Sequence, residues 1–107
     1  NLGQGGLDTY RRDLDRHILP ALGDLPLRRL TTATIDQYLR AQLDRGLAPS
    51  TVHRHYRTIR RMCQVAVDRQ KIPRNPCDPI TPPPLTWDSV RWWGEARRTL
   101  ANFAKVR

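Results

Sequence analysis

The chain is 107 residues long, enough for one compact domain and too short for a second core of useful size. Lys and Arg number 19 against 10 Asp and Glu, a formal net charge of +9 that attracts polyanions, nucleic acid first among them. No apolar run approaches the ~20 residues needed to cross a bilayer, which excludes a transmembrane helix and leaves no membrane partner expected.

Residues 1–6, Asn1-Leu2-Gly3-Gln4-Gly5-Gly6, lack the charged and apolar regions of a signal peptide and read as a flexible lead-in, so a cytoplasmic setting is expected. The first periodic segment then begins near Leu7. Leu7, Tyr10, Leu14 and Ile18 recur at helical steps, one stripe of an amphipathic helix. Arg11, Arg12, Asp13, Asp15 and Arg16 lie between them as a solvated face of mixed sign. Pro20 and Gly23 end this helix, and Leu25-Pro26-Leu27-Arg28-Arg29-Leu30 is a short connector expected to cross the core.

Thr31 or Thr32 suits the N-cap of a second helix, whose buried stripe is Ile35, Leu39 and Leu43 with Tyr38 beside it. Gly46 fits its C-terminal cap. Ser50 opens the third and longest helix, which runs to about Arg69. At roughly 100° per residue, Val52, Tyr56, Ile59, Cys63 and Ala66 share about 80° of arc, and Arg54, Arg57 and Arg61 fall together on the opposite side. His53 and Arg60 flank that basic face. The prolines of Lys71-Ile72-Pro73-Arg74-Asn75-Pro76 are expected to stop the helix. Thr81-Pro82-Pro83-Pro84 is a stiff, extended linker, and residues 86–107 form a tail that looks helical to about Lys105, with Val90, Trp93, Leu100 and Ala104 on a ragged apolar stripe.

The basic face of the third helix carries the strongest signal. From Arg54 to Arg74 only Asp68 opposes the cationic side chains, whereas an ordinary solvated face mixes signs. A helix of this width fits the major groove of DNA, where Arg can bridge phosphate oxygens or the guanine edge. The start of the helix adds unpaired amides and the Ser50 and Thr51 hydroxyls, suited to a phosphate. His53-Arg54-His55-Tyr56-Arg57 has the residue types of a catalytic cluster, yet Tyr56 points inward and the two histidines point different ways. No carboxylate close in sequence orients either ring, so both are expected at phosphate or solvent. Cys63 lies on the apolar stripe and Cys77 in a loop, with neither Cys-x-x-Cys nor paired histidine spacing, so no metal or other cofactor is expected. Trp87, Trp92 and Trp93 read as packing surfaces for a partner or neighbouring domain, with base stacking the alternative.

Taken in order, Thr9-Tyr10-Arg11, His17-Ile18-Leu19-Pro20-Ala21-Leu22-Gly23, Leu30-Thr31 with Ile35, Tyr38 and Leu39, Leu47-Ala48-Pro49-Ser50-Thr51-Val52, Ala66-Val67 and Ile72-Pro73-Arg74-Asn75-Pro76 resemble the pattern of the core-binding domain of phage-type integrases, the tyrosine recombinases. The resemblance spans about Leu7 to Pro84. It implies an all-α, SAM-like bundle of three main helices over residues 7–80, a proline-rich linker at 81–85, and a tail at 86–107 that either opens the catalytic domain or packs as a helix. It also implies a clamp on the double-stranded DNA of the core attachment site, working with a catalytic domain of the same parent and with further copies assembled on the DNA. It adds weight to Ser50, Thr51, Arg54, Arg57 and Arg61, and to Arg11 and Arg12. Gly5-Gly6 departs from the family's usual Ser or Thr cap, and no residues match its preceding helix. None matches its catalytic Arg, Lys, His-x-x-Arg and Tyr, so no cutting or joining of DNA is expected here. The alternative class is a basic helical module that meets an acidic protein.

Overall fold

A computed structural model describes residue 9 and residues 11–95. Leu7, Tyr10, the lead-in at 1–6 and the tail beyond residue 95, including Leu100, Ala104 and Lys105, lie outside the described residues. The described chain is all-α, a small helical bundle with no strand.

Helical backbone from residue 11 passes through a π-helical segment, Leu14–Ile18, into a short α-helix, Leu19–Leu22 (α1). The Leu19 N–H bonds to the Leu14 carbonyl, five residues back. Because this turn holds one residue more than an α-turn, Asp13 and Ile18 both face the interior. The widened turn, with the burial of Asp13, overturns the reading of Asp13 as part of a solvated face. Gly23 caps α1 in right-handed geometry, and glycine is required by space: a Cβ there would lie 2.7 Å from the Leu19 carbonyl oxygen.

A 3₁₀ turn, Leu27–Arg29, leads to Thr32–Asp44 (α2). Its N-cap is Thr31, whose hydroxyl accepts from the Thr34 N–H at 3.3 Å, as its position predicts. Gly46 follows the C-cap with φ of +94°, and the N–H groups of Gly46 and Leu47 close back on the Leu43 and Gln42 carbonyls.

The third helix, Pro49–Asp68 (α3), begins one residue before Ser50, with Ala48 as N-cap and no side-chain cap. Pro49 has no N–H, and the Thr51 N–H is bonded to the Ala48 carbonyl at 2.9 Å, so the expected reserve of unpaired amides is smaller than its sequence implies. At the other end, Gln70 adopts φ of +61° while the Gln70 and Lys71 N–H groups bond to the Val67 and Ala66 carbonyls. This left-handed reversal ends the helix before Pro73 is reached; the prolines do not.

The core joins Ile18 to Ile35, Tyr38, Leu39 and Leu43 of α2 and to Val52, Tyr56, Ile59 and Cys63 of α3. Cys77, Ile80, Pro83 and Trp93 complete it from the C-terminal side. Asn75 fastens the post-helix loop. Its amide nitrogen donates to the Arg60 carbonyl (3.0 Å) and to Gln64 Oε1 (3.3 Å), and its oxygen accepts from the Cys77 N–H (2.9 Å). The Thr32 hydroxyl donates to the Pro76 carbonyl at 2.6 Å. Free thiols Cys63 and Cys77 meet in the interior, where the shared S–H contact and burial push the Cys77 thiol up. Residues 87–95 are helical and fold back on α2, with Trp93 buried and its ring centroid 5.4 Å from the Arg40 guanidinium.

A left-handed non-glycine residue at a helix end costs about 1–2 kcal/mol. Gln70→Gly is therefore expected to stabilise the fold by about 0.5–1 kcal/mol, after the added freedom of the unfolded chain is counted. Urea unfolding of the two proteins measures it.

Candidate nucleic-acid interface

Ser50, Arg54, Arg57 and Arg61 occupy successive turns on one stripe of α3, the spacing that puts side chains above one another on a helix. Arg54, Arg57, Arg60 and Arg61 line one concave surface of about 730 Å³, with Thr58 and Gln64 of the same helix and Thr9 from the first segment. Ser50 and Thr51 lie nearer the start of α3 and do not line it. Arg11 and Arg12 are exposed beside Asp13 but also stand outside the concavity.

The four arginines are not equivalent. Arg54 forks onto the Asp13 carboxylate, Nε to Oδ2 at 2.6 Å and Nη2 to Oδ1 at 3.0 Å. Asp13 is shut away from solvent at 3% side-chain exposure while Arg54 keeps 40%, so the pair bridges interior and groove. The Asp13 bond raises the Arg54 guanidinium above its ordinary value. Arg60 pairs with Asp78 at 3.0 Å at the exposed rim and lies 3.4 Å from the Tyr56 hydroxyl. Arg57 and Arg61 have no carboxylate partner among the described residues. Asp68 is thus not the sole counter-charge to this helix. Asp13 and Asp78, distant in sequence, neutralise half of the basic face.

His55 is fully buried, which overturns the expectation of phosphate or solvent contact. Its Nδ1 lies 3.1 Å from the Tyr38 hydroxyl, its Nε2 lies 3.7 Å from Asp13 Oδ1, and its ring centroid is 5.0 Å from that of His17. A carboxylate facing Nε2 favours the tautomer with the proton there, so Nδ1 accepts from the Tyr38 O–H. Burial, reinforced by the neighbouring Asp13 charge, pushes the Tyr38 phenol up, and it therefore stays a donor. Burial also lowers His55 below its ordinary value, outweighing the opposite pull of Asp13. His53 is half-buried, and its Nδ1–H donates to the Pro83 carbonyl at 2.7 Å. Only Nε2 of His53 remains, an acceptor in the neutral ring, so this side chain meets a phosphate only when charged.

The buried Asp13–His55–Tyr38 chain escapes sequence reading because its members come from three elements. A carboxylate at an inward position among helix residues was the one available signal. Trp93 belongs to the core, while Trp87 and Trp92 are exposed.

The described residues thus form an all-α bundle with an arginine-lined groove along its longest helix. The family described as phage integrase central domain matches residues 4–82, and the chain belongs to that family. Among solved structures, it is similar to the integrase-like domain from Bacillus cereus determined in solution, with 26% identity and a TM-score of 0.70, over 77% of this chain and 70% of that one. No curated protein sequence matches.

Two outcomes separate the arginines. Arg54→Ala leaves a buried carboxylate unpaired and is expected to lower stability by about 2–3 kcal/mol, whereas Arg57→Ala changes it by less than about 0.5 kcal/mol; urea unfolding compares them. The second concerns pH. Because His55 is held neutral in the fold, the unfolded chain takes up its proton first. The His55 contribution to stability is therefore fully present above about pH 6.5, its unfolded value, and is lost progressively as pH drops below it. His55→Asn, which cannot titrate, is expected to flatten urea midpoints measured between pH 7.5 and pH 5.5.

Proposed function

We propose that this chain is the DNA clamp of a phage-type integrase, gripping the duplex of the core attachment site through α3. The observation that carries this reading is the shared concave surface of Arg54, Arg57, Arg60 and Arg61, in which Arg57 and Arg61 lack carboxylate partners among the described residues. Two unneutralised guanidinium groups a turn apart match the spacing of a polyanion's charges better than that of a lone acidic side chain. Membership of the integrase family supports duplex DNA as that polyanion.

In this reading Arg57 and Arg61 engage phosphates, Arg60 joins them from its rim position beside Asp78, and Ser50 and Thr51 extend the track along the helix. Arg11 and Arg12 flank it from the first segment, and His53 adds a contact only in its charged form. The grip rests on backbone charge and is tolerant of sequence. Cutting and rejoining belong to the catalytic domain of a tyrosine-type recombinase parent, with copies assembled on the DNA. No bond-breaking step is assigned to this chain.

The test is fluorescence anisotropy with a labelled duplex across a salt series, comparing wild type with Arg57→Ala/Arg61→Ala. That double variant removes charge without opening the Asp13 pair. Wild type is expected to bind at micromolar or tighter concentration in low salt, and the variant to lower the slope of log affinity against log salt by about 2. No binding by wild type in low salt overturns the reading. Preferential displacement of the duplex by an acidic polypeptide does so as well, and would favour a protein-binding module.

A further inference from the structure

The guanidinium of Arg54 is used along one edge only. Nε and Nη2 donate to Asp13, while Nη1 has no hydrogen-bond partner among the described residues. Asp13 lies inside the fold and Arg54 lines the groove, so the committed edge faces inward and the end of the fork, Nη1 with the second Nη2 hydrogen, faces the concavity. That end has the geometry for the two free oxygens of a phosphate. Behind Asp13, His55 Nε2 stands 3.7 Å from Oδ1, and the His55 ring is bonded through Nδ1 to the Tyr38 hydroxyl.

We propose that Asp13 is a positioning residue for phosphate recognition, holding Arg54 by its side edge so that the end of its guanidinium is presented, preorganised, to one phosphate of the duplex. This rests on the DNA-clamp reading and adds a division of labour within it. Arg57 and Arg61, with no carboxylate partner among the described residues, act through charge that another cation can replace. Arg54 is a fixed fork whose value lies in its planarity, and an ammonium cannot serve a carboxylate and a phosphate in that manner. A side chain already immobilised loses little rotamer freedom on binding, which is where a fixed arginine gains over a free one.

The proposal runs against simple charge counting, and that separates it from its alternative. Asp13→Asn raises the net charge by one and on electrostatics alone tightens DNA binding; loss of positioning weakens it. With the same labelled duplex at fixed salt, Arg54→Lys is expected to weaken binding about tenfold, while Arg57→Lys stays within about twofold of wild type. Asp13→Asn is expected to weaken binding although it is more basic. Thermal melting establishes which variants are folded. Should Asp13→Asn and Arg54→Lys both unfold, nitrogen-detected NMR of the wild-type arginines decides: on adding duplex, the Arg54 Nη signals shift while its Nε–H signal stays protected. Arg54→Lys binding like wild type, Asp13→Asn binding more tightly, or Arg54 Nη signals indifferent to duplex each overturns the positioning role and leaves the clamp intact. Absence of wild-type binding overturns both.

Discussion

A carboxylate taken out of water is the constraint around which this domain is arranged. Asp13 is buried beside the helix whose four arginines line the groove, and an isolated charge in that position would cost several kcal/mol. Arg54 meets that demand with two short, charge-assisted hydrogen bonds. The bonds also lock the first helical segment against α3, a contact between residues 41 apart in sequence. From Asp13 the order spreads inward through His55 to Tyr38 of α2, so that one polar chain touches all three elements of the bundle. An apolar core of leucine and isoleucine would hold these helices together; the Arg54–Asp13 and Tyr38–His55 hydrogen bonds add direction to that packing.

The same interaction sets apart side chains that look alike in the sequence. Four arginines share one groove, yet two are matched with carboxylates and two are not. Exposed pairs such as Arg60–Asp78 contribute little to stability, and competing phosphate can take over the guanidinium at small cost. The Arg54–Asp13 pair cannot be exchanged in this way, because releasing it strands a charge inside. Removing neighbouring arginines from a single helix face therefore has unequal consequences for the stability of the fold.

The stripe Val52, Tyr56, Ile59 and Cys63, the Thr31 cap and the Gly46 reversal were legible because each depends on residues within a few positions. Helical period and capping are local physics. The ordered motifs extended this to the fold class, and the matching family and solved structure agree with it. What was not legible had a distant partner. Asp13 carries the same pattern of neighbours as Asp15, yet one is buried and the other exposed; the difference is set by Arg54 and His55. Arg60 looked free because Asp78 lies beyond the helix end, and the bonds of Asn75 back to Arg60 and Gln64 left no trace in the local pattern. Gln70 in a left-handed conformation had no composition signal at all, since glycine or asparagine is the usual occupant.

The π turn at Leu14–Ile18 has a bearing on how this domain can vary. Such a turn is an α-turn holding one surplus residue, and in an α-helix each residue carries about 100° of rotation. Loss of a single residue between Asp13 and Ile18 would restore a regular helix and swing the carboxylate away from Arg54, even though no contacting side chain had changed. Descendants of this sequence can exchange amino acids in the segment far more freely than they can alter its length.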